Sequence, residues 1–395
     1  MESDSKFFHF CEMIDRIAYQ KLKELAGYFK AIAVVGPRQS GKTTLVKNVF
    51  KDKEYVSLEN PDHRNFALED PRGFLRQYPK GAILDEVQRT PNLFSYLQQI
   101  LDDSREKGLF ILTGSNNFLL QESISQTLAG RVGYLNLPPF SYVEIQDQLQ
   151  DKSDNEIMFS GFYPPIYDQH IPAEIWTKNY IKTYVERDVR QIKNINDLIV
   201  FERFLALLAG RCGQELNMSS LSIEVGLDVK TIQSWLGILE SSFIIHMLPS
   251  HHKNFNKIIV KRPKLYFLDT AIICSLLGVN SAEVLQNHPL RGHIFENLIV
   301  TELIKLKMHQ GEKINLFYWR DKTGHEIDLI EDIAGKLFPI EIKAGQTIQN
   351  SFFKNLNFWM KLSGENSAQL LYSGDQHQKR SNGIEVMNWR QKISE

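Results

Sequence analysis

Short apolar runs alternate with stretches of helical periodicity over the first third of the chain. Apolar residues between positions 10 and 30 recur at near-helical spacing, which predicts a helix leading into the first run. Because buried strands that alternate with helices form a parallel sheet covered on both faces, we predict a three-layer α/β sandwich that binds its ligand beyond the strands' carboxyl ends. The five predicted strands are 31–35, 55–58, 82–84, 108–113 and 134–137.

The first predicted strand leads into a glycine-rich loop, GPRQSGKT, at positions 36–43. This is the phosphate-binding pattern G-x-x-x-x-G-K-[ST], and residues 43–46 can open a helix behind it. The glycines allow a turn that presents backbone N–H groups, Lys42 offers a cation to the β- and γ-phosphates, and Thr43 offers a hydroxyl to Mg²⁺, so we predict ATP and Mg²⁺ as ligands. A plain strand–helix turn with a surface lysine would leave this spacing to coincidence. The predicted nucleotide-binding residues are Gly36, Pro37, Arg38, Gln39, Ser40, Gly41, Lys42, Thr43, Thr44, Asp85 and Ser115.

Two carboxylates, Asp85 and Glu86, follow the third predicted strand. At this strand end of a P-loop ATPase, one acid holds the Mg²⁺ shell and the next polarises the attacking water, so we assign Asp85 to the metal and Glu86 to the water. The fourth strand ends in small polar residues. Ser115 or Asn116 would help to orient the water, or would instead cap a helix predicted at 118–126.

Arg131 comes directly before the fifth predicted strand. Its guanidinium could stabilise charge on a γ-phosphate, in its own or a neighbouring subunit, although such an arginine is as often only solvated. The predicted catalytic residues of ATP hydrolysis are therefore Lys42, Glu86 and Arg131.

Together these motifs resemble those of prokaryotic AAA+ ATPases that carry a C-terminal domain of unknown function. The resemblance covers most of the chain, since it extends to segments of the middle and last parts. It implies an AAA+ core, and it identifies an ATPase better than it identifies a biological task. The motifs that carry it are GPRQSGKT (36–43), LDEVQ (84–88), LTGS (112–115), LAGR (128–131), LPPFS (137–141), VERD (185–188) and PKLYFLD (263–269).

The chain changes character after the predicted core. The polar stretch 146–156 has no periodicity and is predicted to be a linker. The segment 157–200 that follows is interpreted as a helical lid over the nucleotide, because a helix is predicted at 176–194 with charges on its exposed side. Those charges are Glu186, Arg187, Asp188 and Arg190.

Residues 201–248 contain three predicted helices and a strand in the order of a winged helix-turn-helix, with a tight turn at 226–228. The following stretch, 247–266, carries five basic residues and no acidic one, which suits a wing that contacts phosphates. We therefore predict DNA as a partner, through the third helix and the basic hairpin 253–264. The alternative is a structural or protein-contact module with a solvated basic face. The candidate residues are Lys230, Thr231, Gln233 and Ser234 on the helix, and Lys253, Lys257, Lys261, Arg262 and Lys264 on the hairpin.

In the last part of the chain, from about residue 289, the sequence pattern predicts a helix, then three strands at 315–319, 326–330 and 337–342, and then a further helix and strand. Glu341 and Lys343 are two apart in a strand and so share a face. With an aspartate on the neighbouring strand and a helix glutamate, the pattern resembles the restriction-endonuclease-like fold of PD-(D/E)xK nucleases. That resemblance implies Asp328, Glu341 and Lys343 as catalytic and Glu296, Asp328 and Glu341 as Mg²⁺ ligands. The alternative is a degenerate copy that binds nucleic acid or a partner without cutting.

Length and composition set limits on these hypotheses. A chain of 395 residues with a net charge of −1 predicts several domains and only local basic surfaces. Three dispersed cysteines and the lack of a signal peptide or a long apolar run predict a cytoplasmic protein without a membrane segment. The sequence leaves open whether the chain forms a homo-oligomer. The predicted domains are 1–147 (AAA+ core), 157–200 (lid), 201–285 (winged helix) and 286–395 (restriction-endonuclease-like).

Two functions fit this sequence. The first is an Mg²⁺-dependent AAA+ ATPase that couples its nucleotide state to DNA binding and, with an intact carboxylate set, to DNA cleavage. The second is a regulatory switch in which ATP reorganises the domains to engage a protein partner, while the C-terminal fold is an inactive scaffold. Stimulation of hydrolysis by DNA would distinguish the first from the second.

Overall fold

Five parallel strands form the sheet at the start of the molecule. A computed structural model describes residues 14–115, 124, 127–184, 197–251 and 262–395. The strand order is β2-β3-β4-β1-β5, and every residue of β1 is buried because its neighbours and helices on both faces cover it. The predicted parallel α/β sheet is therefore confirmed. The strands are β1 (Ala31–Val35), β2 (Glu54–Ser57), β3 (Ala82–Asp85), β4 (Phe110–Gly114) and β5 (Val132–Asn136).

The helices around this sheet begin and pack as their sequences dictate. Asn60 and Asp70 precede prolines and accept hydrogen bonds from first-turn N–H groups, so they cap the next two helices. The fifth helix buries Leu93, Leu97 and Leu101, which lie four residues apart on one face. The helices are α1 (Ala18–Tyr28), α2 (Lys42–Val49), α3 (Pro61–Glu69), α4 (Pro71–Arg76) and α5 (Leu93–Asp103).

The predicted linker at 146–156 is wrong, because this stretch forms two short helices, α6 (Gln146–Leu149) and α7 (Asp154–Ser160). Ser153 and Glu156 form a reciprocal capping box that starts the second one. Asp154 is 9% exposed and accepts hydrogen bonds from Trp389 Nε1 (3.1 Å) and Arg390 Nη2 (2.8 Å). The polar residues of this stretch thus bind the end of the chain, which composition alone could not indicate.

The middle of the chain is helical and ends in a small antiparallel sheet. The order from 198 to 267 is helix–strand–helix–helix–strand–strand, with the strands arranged β6-β8-β7. Gly226 (φ 83°) ends one helix and Asp228 caps the next, which is the tight turn that the sequence indicated. The winged-helix assignment stays a prediction. The elements are α8 (Pro164–Asp168), α9 (Ala173–Thr183), α10 (Leu198–Ala209), β6 (Gln214–Glu215), α11 (Met218–Val225), α12 (Val229–Ser241), β7 (Ile245–Leu248), β8 (Lys264–Phe267), α13 (Thr270–Leu276) and α14 (Ala282–Gln286).

A long buried helix, α15 (Arg291–His309), opens the last part and packs against a mixed sheet ordered β13-β14-β12-β11-β10-β9. The first three of its strands in sequence are antiparallel neighbours, and β12 and β14 then run parallel to β11. The restriction-endonuclease-like assignment stays a prediction. The elements are β9 (Leu316–Arg320), β10 (Glu326–Ile333), β11 (Lys336–Lys343), α16 (Lys354–Ser363), β12 (Ala368–Tyr372), β13 (Gln378–Lys379), β14 (Ile384–Asn388) and α17 (Trp389–Ser394).

The main hydrophobic core crosses the predicted domain boundaries. One cluster of buried side chains extends from Ala31 in the first sheet through the middle helices to Ile393 in the last helix. The parts of the chain therefore pack as neighbours and are not separated by exposed tethers. None of the helices in the described part of the chain has the length and apolar character needed to cross a bilayer.

Candidate nucleotide-binding site

The glycine-rich loop turns between β1 and α2. Gly41 has φ of 90°, a conformation that favours glycine, and a side chain on Gly36 would place its Cβ 2.0 Å from the carbonyl oxygen of Leu137. Lys42 is 6% exposed, and its ammonium donates to the carbonyl oxygens of Gly36 (3.0 Å) and Pro37 (2.7 Å). The loop therefore surrounds a buried cation at the amino end of a helix, which is the arrangement that binds phosphates.

Asp85 ends β3 and lies beside the loop. Its Oδ2 accepts hydrogen bonds from Thr43 Oγ1 (3.2 Å) and Tyr55 OH (2.6 Å), and its Oδ1 accepts one from Thr113 Oγ1. Burial, and then the contact with Asp85, raise the pKa of Tyr55 well above its usual range, so the phenol remains a donor. Sequence reasoning found Thr43 and Asp85 but missed Tyr55 and Thr113. Because β2, β3 and β4 are parallel neighbours, their carboxyl ends lie at the same edge of the sheet.

Glu86 follows Asp85 with a left-handed backbone, φ of 56°. Its Oε2 accepts hydrogen bonds from Ser115 Oγ (2.9 Å) and Gln88 Nε2 (2.5 Å), so two side chains hold one carboxylate oxygen. Ser115 was predicted to contact nucleotide or water, and here it contacts the predicted base. Asn116 and most of the helix predicted at 118–126 lie outside the described residues.

A cleft of about 510 Å³ lies over the loop and the two carboxylates. Residues of the middle segment form its opposite wall, among them Pro164, Asp168, Tyr180 and Tyr184. The Trp176 indole donates to Gln39 Oε1 in the loop at 3.1 Å, which joins the two walls directly. The charged residues predicted on the lid helix, Glu186, Arg187, Asp188 and Arg190, lie outside the described residues. The loop and strand residues that line the cleft are Arg38, Gln39, Gly41, Lys42, Thr43, Thr44, Asp85 and Glu86.

A second cavity of about 280 Å³ adjoins the cleft and shares Gly41, Thr44, Pro164 and Asp168 with it. Five apolar or aromatic side chains contribute to its lining, and Asp15 and Arg16 also border it. The five are Ile14, Tyr19, Leu45, Phe140 and the shared Pro164.

Arg131 lies away from this site. Its carbonyl oxygen accepts a hydrogen bond from Ala31 N (3.2 Å), at the start of β1, and β1 and β5 then pair in parallel as far as the phosphate loop. Five strand residues, or about 16 Å, separate the two ends. The guanidinium instead forms a two-point ion pair with Asp102, with distances of 2.5 and 2.9 Å. The prediction that Arg131 reaches a γ-phosphate in its own subunit is wrong, and a role towards a neighbouring subunit stays a prediction.

The predicted catalytic and metal-binding residues of the C-terminal part lie close together, but lysine ammonium groups already contact their carboxylates. Lys343 Nζ lies 2.7 Å from Glu341 Oε1 and 3.4 Å from Asp328 Oδ2. Lys264 Nζ lies 2.9 Å from Glu296 Oε1. Burial raises the pKa of Glu341 to about 8 and that of Glu296 to about 7. Burial also opposes ionisation of Asp328, but Lys343 and Lys264 hold the pKa of this carboxyl below its usual value.

Two sequence predictions change as a result. Among the described residues, no group of three or more His, Cys, Asp or Glu side chains is placed to hold a metal ion, so the predicted ligand set Glu296, Asp328 and Glu341 is not assembled. Lys264 was predicted on an exposed basic hairpin, but it is 1% exposed and paired with Glu296 and Glu326. Arg262 is exposed. Lys253, Lys257 and Lys261 lie outside the described residues.

Three family models match successive parts of the chain. Residues 28–146 match an AAA domain, residues 151–283 match a domain of unknown function (DUF8612), and residues 291–391 match another (DUF4143). The first match coincides with the sheet and the phosphate loop. The other two correspond to the middle segment and to the C-terminal sheet with its long helix.

Relatives and solved structures were also found. A protein of Mycobacterium tuberculosis, described as uncharacterized, is 27% identical over 342 residues, covering 85% of this chain and 76% of that protein. One of Haemophilus influenzae, described likewise, is 22% identical over 388 residues, covering 90% and 92%. The Walker-type ATPase of Pyrococcus abyssi is similar at a TM-score of 0.45 and 14% identity, covering 67% of this chain and 96% of that one. The signal transduction ATPase with numerous domains from Pyrococcus horikoshii is similar at a TM-score of 0.26 and 13% identity, and the match covers 72% of this chain and 47% of that one.

The AAA match and the site geometry agree, because the matched segment contains the loop, both carboxylates and the parallel sheet that positions them. Residues 28–146 therefore form an ATPase domain of the AAA, P-loop type, followed by two segments whose family models name no activity.

Proposed function

We propose that this protein is an Mg²⁺-dependent ATP hydrolase that acts as a nucleotide-controlled switch. The observation that carries the proposal is the convergence of Lys42, Thr43, Asp85 and Glu86 in one cleft whose opposite wall belongs to the middle segment. A ligand held between two parts of a protein stabilises the arrangement that contacts it on both sides. ATP and its product, which differ at the γ-phosphate, would then favour different arrangements.

The donor atoms in the cleft fit Mg²⁺ and a nucleotide. Mg²⁺ prefers oxygen ligands and keeps several waters, and the Thr43 hydroxyl lies 3.2 Å from a carboxylate oxygen of Asp85. These two side chains would hold the metal, which would supply positive charge to neutralise the negative charge of the phosphates. Tyr55 and Thr113 fix the direction of the Asp85 carboxylate by donating to it. Lys42 supplies the charge that compensates the phosphates.

Glu86 is the group best placed to activate water. Its carboxylate borders the cleft, and the hydrogen bonds from Ser115 and Gln88 leave Oε1 to approach a water molecule. The adjoining cavity suits the base of the nucleotide, because it continues from the phosphate cleft past Gly41 and is partly lined by apolar side chains. In this proposal, phosphates, metal, water and base would occupy separate parts of the site.

Two substitutions test the ATPase assignment. Lys42→Ala should reduce the hydrolysis rate by roughly 10²-fold or more, because a preorganised charge is lost. Glu86→Gln should still bind ATP but should not hydrolyse it. Lys53→Ala is the matched control, since the Lys53 ammonium also donates to two backbone carbonyls, of Lys80 (3.1 Å) and Leu109 (2.9 Å), but at the opposite end of the sheet. Wild-type rates in both site variants would disprove the assignment.

The C-terminal carboxylates support a switch over a nuclease. Glu296 is bound by Lys264 and by the Tyr266 hydroxyl (2.6 Å), and Asp328 accepts from the backbone N–H of Ile342 (2.8 Å). A metal would have to compete with an ammonium already in contact with Glu296. We expect no DNA cleavage with Mg²⁺ or Mn²⁺. Metal-dependent cleavage that Asp328→Asn abolishes, while ATP hydrolysis persists, would instead favour the nuclease.

DNA contact is a second candidate function, favoured by the surface of α12. Lys230 and Gln233 are exposed on this helix, while Ile232 and Trp235 face the core. The helix thus presents polar side chains outwards, as a recognition helix does. If Lys230, Lys253 and Lys257 contact phosphates, changing all three to Gln should weaken DNA binding and reduce its log–log salt slope by about 0.9 per lost contact. Lys361→Gln, an exposed lysine of α16, is the control, and an unchanged slope in the triple variant would exclude these contacts.

A further inference from the structure

The side chain of Arg16 lies between the phosphate loop and the long helix α15. Its Nη1 donates to the carbonyl oxygen of Ser40 at 2.6 Å, and its Nη2 donates to that of Pro138 at 2.9 Å. Its Nε donates to Glu144 Oε1 at 2.9 Å, and Nη2 lies 3.3 Å from His309 Nε2. The side chain is 7% exposed, so one buried guanidinium contacts the loop, the segment after β5 and the end of α15.

The contact with Ser40 acts on a group that lines the proposed nucleotide cleft. A trans peptide is planar, and its C=O and N–H point in opposite directions. When Arg16 holds the Ser40 carbonyl, it therefore also sets the direction of the Gly41 N–H on the other side of the same peptide. Gly41 lines the cleft, and backbone N–H groups at this position of a phosphate loop contact the phosphates.

The other contacts of Arg16 lead to α15. Glu144 is fully buried, and it also accepts from the N–H groups of Ile17 (2.9 Å) and Ser141 (2.8 Å). Burial opposes its ionisation, but the Arg16 guanidinium and the hydrogen bond from the Ser141 N–H hold the pKa of this carboxyl below its usual value. His309, in the last turn of α15, is buried, and burial lowers its pKa to about 4, so the imidazole is neutral at pH 7. A charged pair with little access to water has a fixed geometry and is costly to break.

The segment 137–145 provides a second connection between the same two places. Its first residue donates from Leu137 N to Val35 O at 2.7 Å, directly before the loop. Further along, Lys305 Nζ of α15 donates to Phe140 O at 3.1 Å, and Glu302 of α15 accepts from Tyr142 N at 2.5 Å. The C-terminal part thus holds this segment at two backbone positions, independently of Arg16.

We infer that Arg16 is a positioning residue that couples the phosphate loop to α15, so that nucleotide binding and the packing of the C-terminal part affect each other. The inference rests on the proposed ATP binding. Coupling of this kind is reciprocal: if α15 stabilises the loop geometry that binds ATP, ATP must stabilise α15 by the same factor. The segments matched by the AAA domain and by DUF4143 would then respond to one another.

Hydrogen exchange with and without ATP and Mg²⁺, together with ATP affinity, tests the inference on the full chain. In the wild type, ATP should slow amide exchange near the end of α15, around residues 304–310. Arg16→Lys keeps the charge but cannot make the same set of contacts, so it should weaken ATP binding by about tenfold and reduce the effect at α15 to what segment 137–145 transmits by itself. His309→Gln keeps the Ser40 contact, so it should change affinity by less than about threefold yet reduce the effect at α15.

Arg390→Ala is the matched control. The Arg390 guanidinium also joins the end of the chain to an earlier part, through Asp154 (2.8 Å) and the carbonyl of Lys152 (2.6 Å), but it does not contact the loop. It should retain both the affinity and the protection by ATP. Protection of α15 at the full wild-type level in folded Arg16→Lys, or an equal loss of affinity in Arg390→Ala, would overturn the inference. Failure of the wild type to bind ATP would instead overturn the proposed function, and this inference with it.

Discussion

Glu86, the residue that we propose activates water, has an unusual backbone conformation. Its φ of 56° lies in the left-handed region, which costs a non-glycine residue of the order of 1 kcal/mol or more. Ser115 and Gln88 bind its carboxylate, so the side chain and backbone are fixed together. Strain of this kind persists where the surrounding contacts determine the geometry, which agrees with the assignment of Glu86 to water activation.

The buried carboxyl group of Glu341 should make the free energy of unfolding depend on pH. Burial raises the pKa of this carboxyl from 4.5 to about 8, so between these values the folded state keeps a proton that the unfolded state has lost. Stability therefore falls as pH rises through this window, by up to about 1.4 kcal/mol per pH unit. Glu341→Gln stays neutral and should flatten the change measured by urea unfolding from pH 6 to pH 8. Glu202→Gln, at an exposed position, should keep the wild-type slope, and an equal slope in Glu341→Gln would contradict the argument.

The elements show which features sequence could predict. The strands of the first sheet and the loop at 36–43 follow from local apolar runs and glycine spacing, and the structure has them within a few residues of the predicted bounds. Contacts that depend on the order of strands could not be predicted. Tyr55 reaches Asp85 because β2 is next to β3. Arg131 is far from the phosphate loop because it lies at the start of β5, and only the other end of that strand is near the loop. Likewise, Lys264 belongs to a basic stretch, but only the fold shows that it faces Glu296.

Helix α15 offers a test of packing at the level of one element. Lys305 and Glu302 form an ion pair of 2.8 Å in which both side chains are fully buried. Lys305→Met would leave the Glu302 carboxylate buried without its charge partner, so we expect a loss of about 3–5 kcal/mol in the free energy of unfolding. The double variant Glu302→Gln/Lys305→Met should lose less. Lys178→Met breaks an exposed pair with Glu174 and should change stability by less than about 1 kcal/mol. A small effect of Lys305→Met would show that the pair is not needed to hold α15.

One hydrophobic core joins the parts of the molecule that match separate family models. Arg16, Asp154 and α15 each connect segments that lie more than a hundred residues apart in sequence. Such long-range contacts carry no local sequence signal, so the linker prediction failed at 146–156 although the surrounding elements were recognised. A molecule packed in this way can transmit a change at the nucleotide site through contacts already present.

ATP should therefore stabilise the whole chain against unfolding, and the tryptophans allow this to be measured. All five tryptophans lie outside the AAA-matched segment, at positions 176, 235, 319, 359 and 389, so their fluorescence reports mainly on the rest of the molecule. At an ATP concentration of 100 times Kd, binding to the folded state contributes about 2.7 kcal/mol. If the parts unfold together, the urea midpoint detected by tryptophan fluorescence should rise with ATP and Mg²⁺, in parallel with the midpoint from circular dichroism. Lys42→Ala should lose most of the shift. The fluorescence midpoint could instead stay unchanged with ATP while the circular-dichroism midpoint rises. That result would mean that the ATPase domain unfolds independently, and that its core contacts do not couple its unfolding to that of the C-terminal part.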